Sequence, residues 1–245
     1  GQPLCESRFI PGRILLIDSG SARLLGEQKG RLSTLIRLEA GSFVGVASLL
    51  RCAPCEEVRA ASELVAYSLS DDQLLELINT DPTIAEACRN HLWEAELAAL
   101  LNSRLERSPQ QSRPLSCWLS EMLPKAQMLA ASNQAAIHNA LNNGQRLFLA
   151  SQPTDPSTGS PGDEVTNADA IAALPLDMHG MTMRLIALPT EAILALEPGD
   201  QAKLVEPEVV NSGSDSALTR SEIPQAPLRP PVSRFNQQLS LIHIS

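Results

Sequence analysis

The first third of the chain alternates short apolar runs with turn residues, the pattern of strands rather than helices. Ile14-Leu15-Leu16-Ile17 is continuous and β-branched at both ends, which predicts a strand buried on both faces. Asp18-Ser19-Gly20 follows. A side-chain acceptor beside a glycine free to take positive φ predicts a reversal, with residues 22–25 pairing back antiparallel. Lys29-Gly30 predicts a second turn, and Thr34-Leu35-Ile36-Arg37-Leu38 alternates as a half-buried strand until Gly41 breaks it. Leu64-Val65-Ala66-Tyr67-Ser68-Leu69 is a further strand, and Ser70-Asp71-Asp72 predicts the cap of a helix carrying Leu74, Leu75, Leu77 and Ile78.

The period then changes. Ile84, Ala87, Cys88, His91, Leu92, Ala95, Leu97, Leu100, Leu101 and Leu105 recur at spacings of three and four, which predicts one long amphipathic helix that opens at Pro82 and closes at Arg107. Trp118, Leu119, Met122 and Leu123 predict a shorter helix. Pro124 starts another, which residues 131–141 carry to a stop at Asn142-Asn143-Gly144. Arg146-Leu147-Phe148-Leu149-Ala150 returns to a strand pattern, residues 152–162 form a Pro/Ser/Thr/Gly loop, and residues 183–188 and 192–196 resume apolar β-like runs. Beyond Pro207 the chain turns to Ser, Pro, Asn and charge, which predicts a disordered linker. The predicted fold is α+β: an antiparallel, jelly-roll-like β-roll with C-terminal helices, a smaller α/β-mixed segment and a disordered Pro-rich tail. Its expected parts are the roll over 1–80, a helical region over 81–143, a small β-rich subdomain over 144–204 and a linker over 205–238. Residues 239–245 read as a translated sequencing adaptor, an expected scar. Gly1 is not an initiator methionine and stands just before the first strand, so an N-terminal piece of the roll is expected to be missing.

Composition narrows the chemistry. The 245 residues carry a net charge of −9 with one Tyr, two Trp and four Phe. That is little material for stacking on bases and the wrong charge for a phosphate backbone, so no nucleic-acid partner is expected. No apolar run approaches a membrane span, so no direct membrane insertion is expected of this stretch, and its expected location is cytoplasmic. Cys52-Ala53-Pro54-Cys55 has the spacing of half a zinc or redox site, yet no second ligand pair lies near it in sequence. His91, His138 and His179 lack partners at metal spacing, Cys88 and Cys117 lack a base, and no Gly-rich loop with a following lysine is present. No catalytic residue, metal or cofactor is assigned.

Residues 14–50, with Gly41-Ser42-Phe43-Val44-Gly45-Val46-Ala47-Ser48-Leu49-Leu50 at their end, resemble the roll of a cyclic-nucleotide-binding domain. The resemblance implies a glycine followed by a glutamate at the start of a short helix. The glutamate accepts from the ribose hydroxyl, backbone N–H groups face the phosphate, and a later arginine pairs with it. Gly45 matches the glycine, Val46 replaces the glutamate, and the arginine position falls in Pro54-Cys55-Glu56-Glu57. The implied pocket, comprising Gly45, Val46, Ala47, Ser48, Arg51 and Arg59, is therefore expected to be degenerate, and cAMP or cGMP remains an alternative ligand with Arg51 or Arg59 as the substitute cation. Residues 16–25, 45–50 and 55–62 further resemble the N-terminal region of bacterial, notably cyanobacterial, ABC exporters of the peptidase-containing or type I secretion kind. That resemblance implies downstream domains of the same transporter as partners. A homodimer contact through the helix between Pro82 and Arg107 is a further expectation.

Overall fold

The computed structural model describes residues 1–108, 112–197 and 240–244; the expected linker over 205–238, and with it the disordered tail, lies outside them. The first strands are β1 (Pro3–Cys5), β2 (Arg13–Ser19), β3 (Ala22–Gln28), β4 (Arg31–Leu38) and β5 (Phe43–Val44), followed by the short helix α1 (Val46–Arg51), β6 (Glu57–Ala60) and β7 (Leu64–Ser70). They form two four-stranded antiparallel sheets: β1-β6-β3-β4, and β7-β2-β5 with β12 (Ser240–Ile244) on its outer edge. Leu15, Ile17, Leu24, Val44, Val58, Leu64 and Ala66 fill the space between the sheets. This is the antiparallel α+β roll the sequence predicts.

One strand pairing differs from expectation. Gly20 does turn the chain, at φ 84°, but β3 pairs with β4 and β6 while β2 pairs with β5 and β7. Residues 22–25 thus cross to the opposite sheet instead of pairing back on β2. Ser21 and Ala22 are buried at the crossing, and burying both in the interior favours the crossover over a solvent-side hairpin. The Lys29-Gly30 turn is a true two-residue hairpin: both residues have positive φ, and Gln28 faces Arg31.

After β7 come α2 (Asp71–Thr80), α3 (Pro82–Asn90), α4 (Glu94–Glu106) and α5 (Leu115–Met122). Ser70 caps α2 through a reciprocal bond pair with Gln73. The single long helix expected between Pro82 and Arg107 is two, because His91 and Trp93 are extended. The Arg184 guanidinium draws in the carbonyls of Arg89 and His91 and the Glu96 carboxylate, holding the break open.

A third sheet, β10-β9-β11-β8, is built from β8 (Gln127–Ala130), β9 (Gln145–Leu149), β10 (Glu164–Val165) and β11 (Arg184–Pro189). Its remaining helices are α6 (Gln134–Asn142), α7 (Ala168–Ala172) and α8 (Thr190–Leu196). Strand β8 interrupts the stretch expected to be helical after Pro124, and residues 192–196 are helix rather than strand, since Ala192, Ile193 and Leu196 share one buried face. Phe148, Ile186 and Leu188 face α4, α5 and α8, whereas Leu147, Leu149, Leu185 and Ala187 face α6 and α7. Burial on both faces explains why β9 and β11 read as continuous apolar runs. Among the described residues no helix is long and apolar enough to cross a membrane.

Candidate functional site

Gly45 precedes α1 in the left-handed region, at φ 94°. A Cβ there would meet Pro11 Cγ at 3.0 Å and the Arg13 carbonyl at 3.1 Å, so glycine is required by conformation and by space together. Val46, Ala47 and Ser48 follow, all buried. The backbone N–H of Gly45 and that of Ser48 each donate to the Glu56 carboxylate at 2.8 Å, one to each oxygen. Ser48 Oγ in turn accepts from the N–H groups of Cys55 and Glu56, at 3.1 and 3.2 Å. These bonds tie the turn before β6 onto the first turn of α1.

Glu56 is 5% exposed. Burial raises its pKa above the ordinary carboxylate value, and the donors at Ser48 and Gly45 partly offset that rise. The sequence places the expected arginine in residues 54–57, and the carboxylate standing there does more than repel an anion. It is itself the anion bound by the two amides.

The other end of α1 is held by the third sheet's loops. Cys52 ends the helix in the left-handed region at φ 55°. His179 Nε2 lies 2.9 Å from the Leu49 carbonyl, which makes that nitrogen the donor, and Gln152 N–H donates to the Arg51 carbonyl at 2.8 Å. The loop carrying His179 is fastened by Asp177, whose Oδ1 accepts from the N–H groups of His179 and Met181 at 2.9 Å each. Burial raises the Asp177 pKa.

Of the residues expected to line a pocket, Gly45, Val46, Ala47 and Ser48 stand together at the Glu56 carboxylate. Arg51 points elsewhere: one guanidinium nitrogen donates to the Pro161 carbonyl at 3.3 Å, while Nε and Nη1 are buried and find no hydrogen-bond partner among the described residues. Arg59 lies on β6 and pairs with Glu57 at 3.1 Å. Sequence reasoning missed the contacts of Gln152 and His179, which reach α1 from over a hundred positions away, and the role of Asp177 in fastening the His179 loop. Cys52 and Cys55 are free thiols; burial, with the charge of Asp177, pushes Cys52 up to about 12, and burial raises Cys55 further from reactivity. Among the described residues no group of three or more His, Cys, Asp or Glu is placed to hold a metal ion.

No family model matches the chain, and no curated protein matches its sequence. Solved structures do resemble it. The EAL enzyme Bd1971 in its cAMP-bound form is 18% identical, with a TM-score of 0.32 over 62% of this chain and 34% of that one. A cyclic nucleotide-binding domain from Methylobacillus flagellatus is 21% identical, with a TM-score of 0.32 over 46% and 65% of the two chains. The regulatory domain of Toxoplasma gondii PKA with cAMP is 13% identical, with a TM-score of 0.32 over 80% and 77%. The chain spans about a third of the length of Bd1971.

Proposed function

We propose that this chain is a non-catalytic regulatory and docking module, a roll of the cyclic-nucleotide-binding kind whose phosphate position is filled from within. The observation that carries this reading is the Glu56 carboxylate on the Gly45 and Ser48 amides. An entering cyclic phosphate would have to displace a bonded, buried group and then meet its charge, while Val46 offers the ribose no acceptor. The module acts through its contacts. On the resemblance of residues 16–25, 45–50 and 55–62 we assign it to the cytoplasmic side of an ABC exporter, where the transporter's own downstream domains are its partners. A longer reading frame that continues into membrane spans and a nucleotide-binding Gly-rich loop supports that assignment; one that continues into a DNA-binding or unrelated enzyme domain removes it.

A functional cAMP or cGMP receptor is the second reading, favoured by the buried, incompletely partnered guanidinium of Arg51. Calorimetric titration with both nucleotides at low salt separates the two. The self-filled site gives no saturable binding below about 1 mM. Micromolar, salt-sensitive binding that Arg51→Ala or Arg59→Ala abolishes would overturn it.

A further inference from the structure

Three arginine side chains are buried among the described residues, Arg51, Arg104 and Arg184, and they are not neutralised alike. Arg184 holds the Glu96 carboxylate at 2.6 Å, and Arg104 holds that of Glu197 at 2.9 Å. Arg51 forms no ion pair among the described residues. Glu96 is the acid whose charge reaches it, yet both Glu96 oxygens are taken by the Arg184 guanidinium, at 2.6 and 3.0 Å. Arg51 is 8% exposed; its Nη2 donates to the Pro161 carbonyl at 3.3 Å, while Nε and Nη1 are enclosed with no acceptor. Arg104 donates from Nη2 to the next carbonyl along, that of Gly162, at 2.9 Å, and its Nε is enclosed without an acceptor as well. Helices α1 and α4 thus bring two guanidinium groups to consecutive carbonyls of the loop between β9 and β10. Glu197 balances one of the two charges, and three donor nitrogens stay open. A buried charge without a counterion and N–H groups shut off from water are both costly. A water molecule would satisfy the N–H groups and leave the charge, whereas an anion answers both.

We propose that this seam between the roll and the third sheet binds one small inorganic anion, of halide size, held by Arg51 with Arg104 beside it. The two side chains are 8% and 5% exposed, an opening that suits a monatomic ion and not an organic phosphate. The site is distinct from the place where the Gly45 and Ser48 amides meet Glu56: Arg51 leaves the last turn of α1 and turns to the third sheet's loop. Its occupation does not depend on whether a nucleotide enters at those amides. Because the bound ion belongs only to the folded chain, it ties the two halves together and makes their stability depend on anion concentration.

The test is urea unfolding of the full chain at constant ionic strength, with sodium gluconate replaced stepwise by sodium chloride. The wild-type midpoint is expected to rise saturably, by about 0.5 M urea. The midpoint of Arg51→Met, which keeps an apolar stem and removes the charge, is expected not to respond. In gluconate alone the variant should be the more stable of the two, since it removes an uncompensated buried charge. A wild-type midpoint indifferent to chloride, or a response of equal size in Arg51→Met, would overturn the proposal. For a variant that does not fold, chloride-35 line broadening on the folded wild-type chain decides: saturable broadening that bromide displaces and cAMP leaves unchanged supports the site, and no excess broadening counts against it. Displacement of the chloride by cAMP would hand Arg51 to a nucleotide phosphate, and so overturn the halide site.

Discussion

At Glu56 a buried carboxylate accepts from the Gly45 and Ser48 amides, and its titration reports on that contact. The buried carboxyl has a raised pKa, so over the window above the ordinary value of 4.5 the folded chain holds a proton that the unfolded chain has released. Its contribution to stability therefore falls as pH rises from 4.5 through the raised value. Glu56→Gln is neutral throughout, and the difference between wild-type and variant urea midpoints is expected to follow that sign; a wild-type advantage growing with pH over the same window would contradict it. Glu56→Ala leaves the Gly45 and Ser48 amides without their acceptor and should destabilise the chain by about 1–3 kcal/mol. Gly45→Ala should cost about 1–3 kcal/mol, since alanine would have to adopt φ 94° against Pro11 and the Arg13 carbonyl. Denaturant melts of the two variants measure both.

Among the elements, α4 is the one whose surroundings most altered its meaning. Leu97, Leu100, Leu101 and Leu105 pack on the third sheet and α5, Ala95 packs on the roll, and Glu96 and Arg104 are buried as well. A helix lying between two layers is covered on most of its circumference, so the amphipathic stripe legible in residues 84–105 belongs to α3 and to only part of α4. The break between them carries no glycine and no proline. It is held by Arg184 from β11, which pairs with Glu96 at 2.6 Å with both side chains out of solvent. Arg184→Met strands a buried carboxylate and the α3 carbonyls, and should destabilise by about 3–5 kcal/mol. Adding Glu96→Leu to Arg184→Met should recover most of that loss. Equal loss in the single and double variants, in the same melts, would show that the ion pair is not what closes this interface.

Over the whole molecule, the roll and the third sheet share bonds at α1, at the α3–α4 junction and along α4. They are therefore expected to unfold together. Trp93 packs against the roll's clusters and Trp118 lies in the core of the third sheet, so variants retaining one tryptophan each report on a different half. Coincident fluorescence and circular dichroism transitions are expected; two separated midpoints would mean the halves are independent.

Local chemistry was enough to specify the strands at residues 14–17, 22–25, 34–38 and 64–69, the Lys29-Gly30 hairpin and the Ser70 cap, while β1, β5 and β6 were not legible in it. Each depends on neighbours within a few positions, through φ preference, side-chain period or a capping bond. The resemblance to cyclic-nucleotide-binding domains marked Gly45 and, by counting along that pattern, put a carboxylate where the resemblance implies an arginine. Tertiary structure alone decided that β3 crosses to the opposite sheet, that the helix breaks at His91-Leu92-Trp93, and that α1 is gripped at both ends. The crossing goes with the burial of Ser21 and Ala22, and the other two outcomes are set by Glu56, His179, Gln152 and Arg184 reaching backbone groups on other elements. A buried N–H or carbonyl takes whichever partner the packed chain brings within hydrogen-bonding distance, and sequence spacing does not encode that distance.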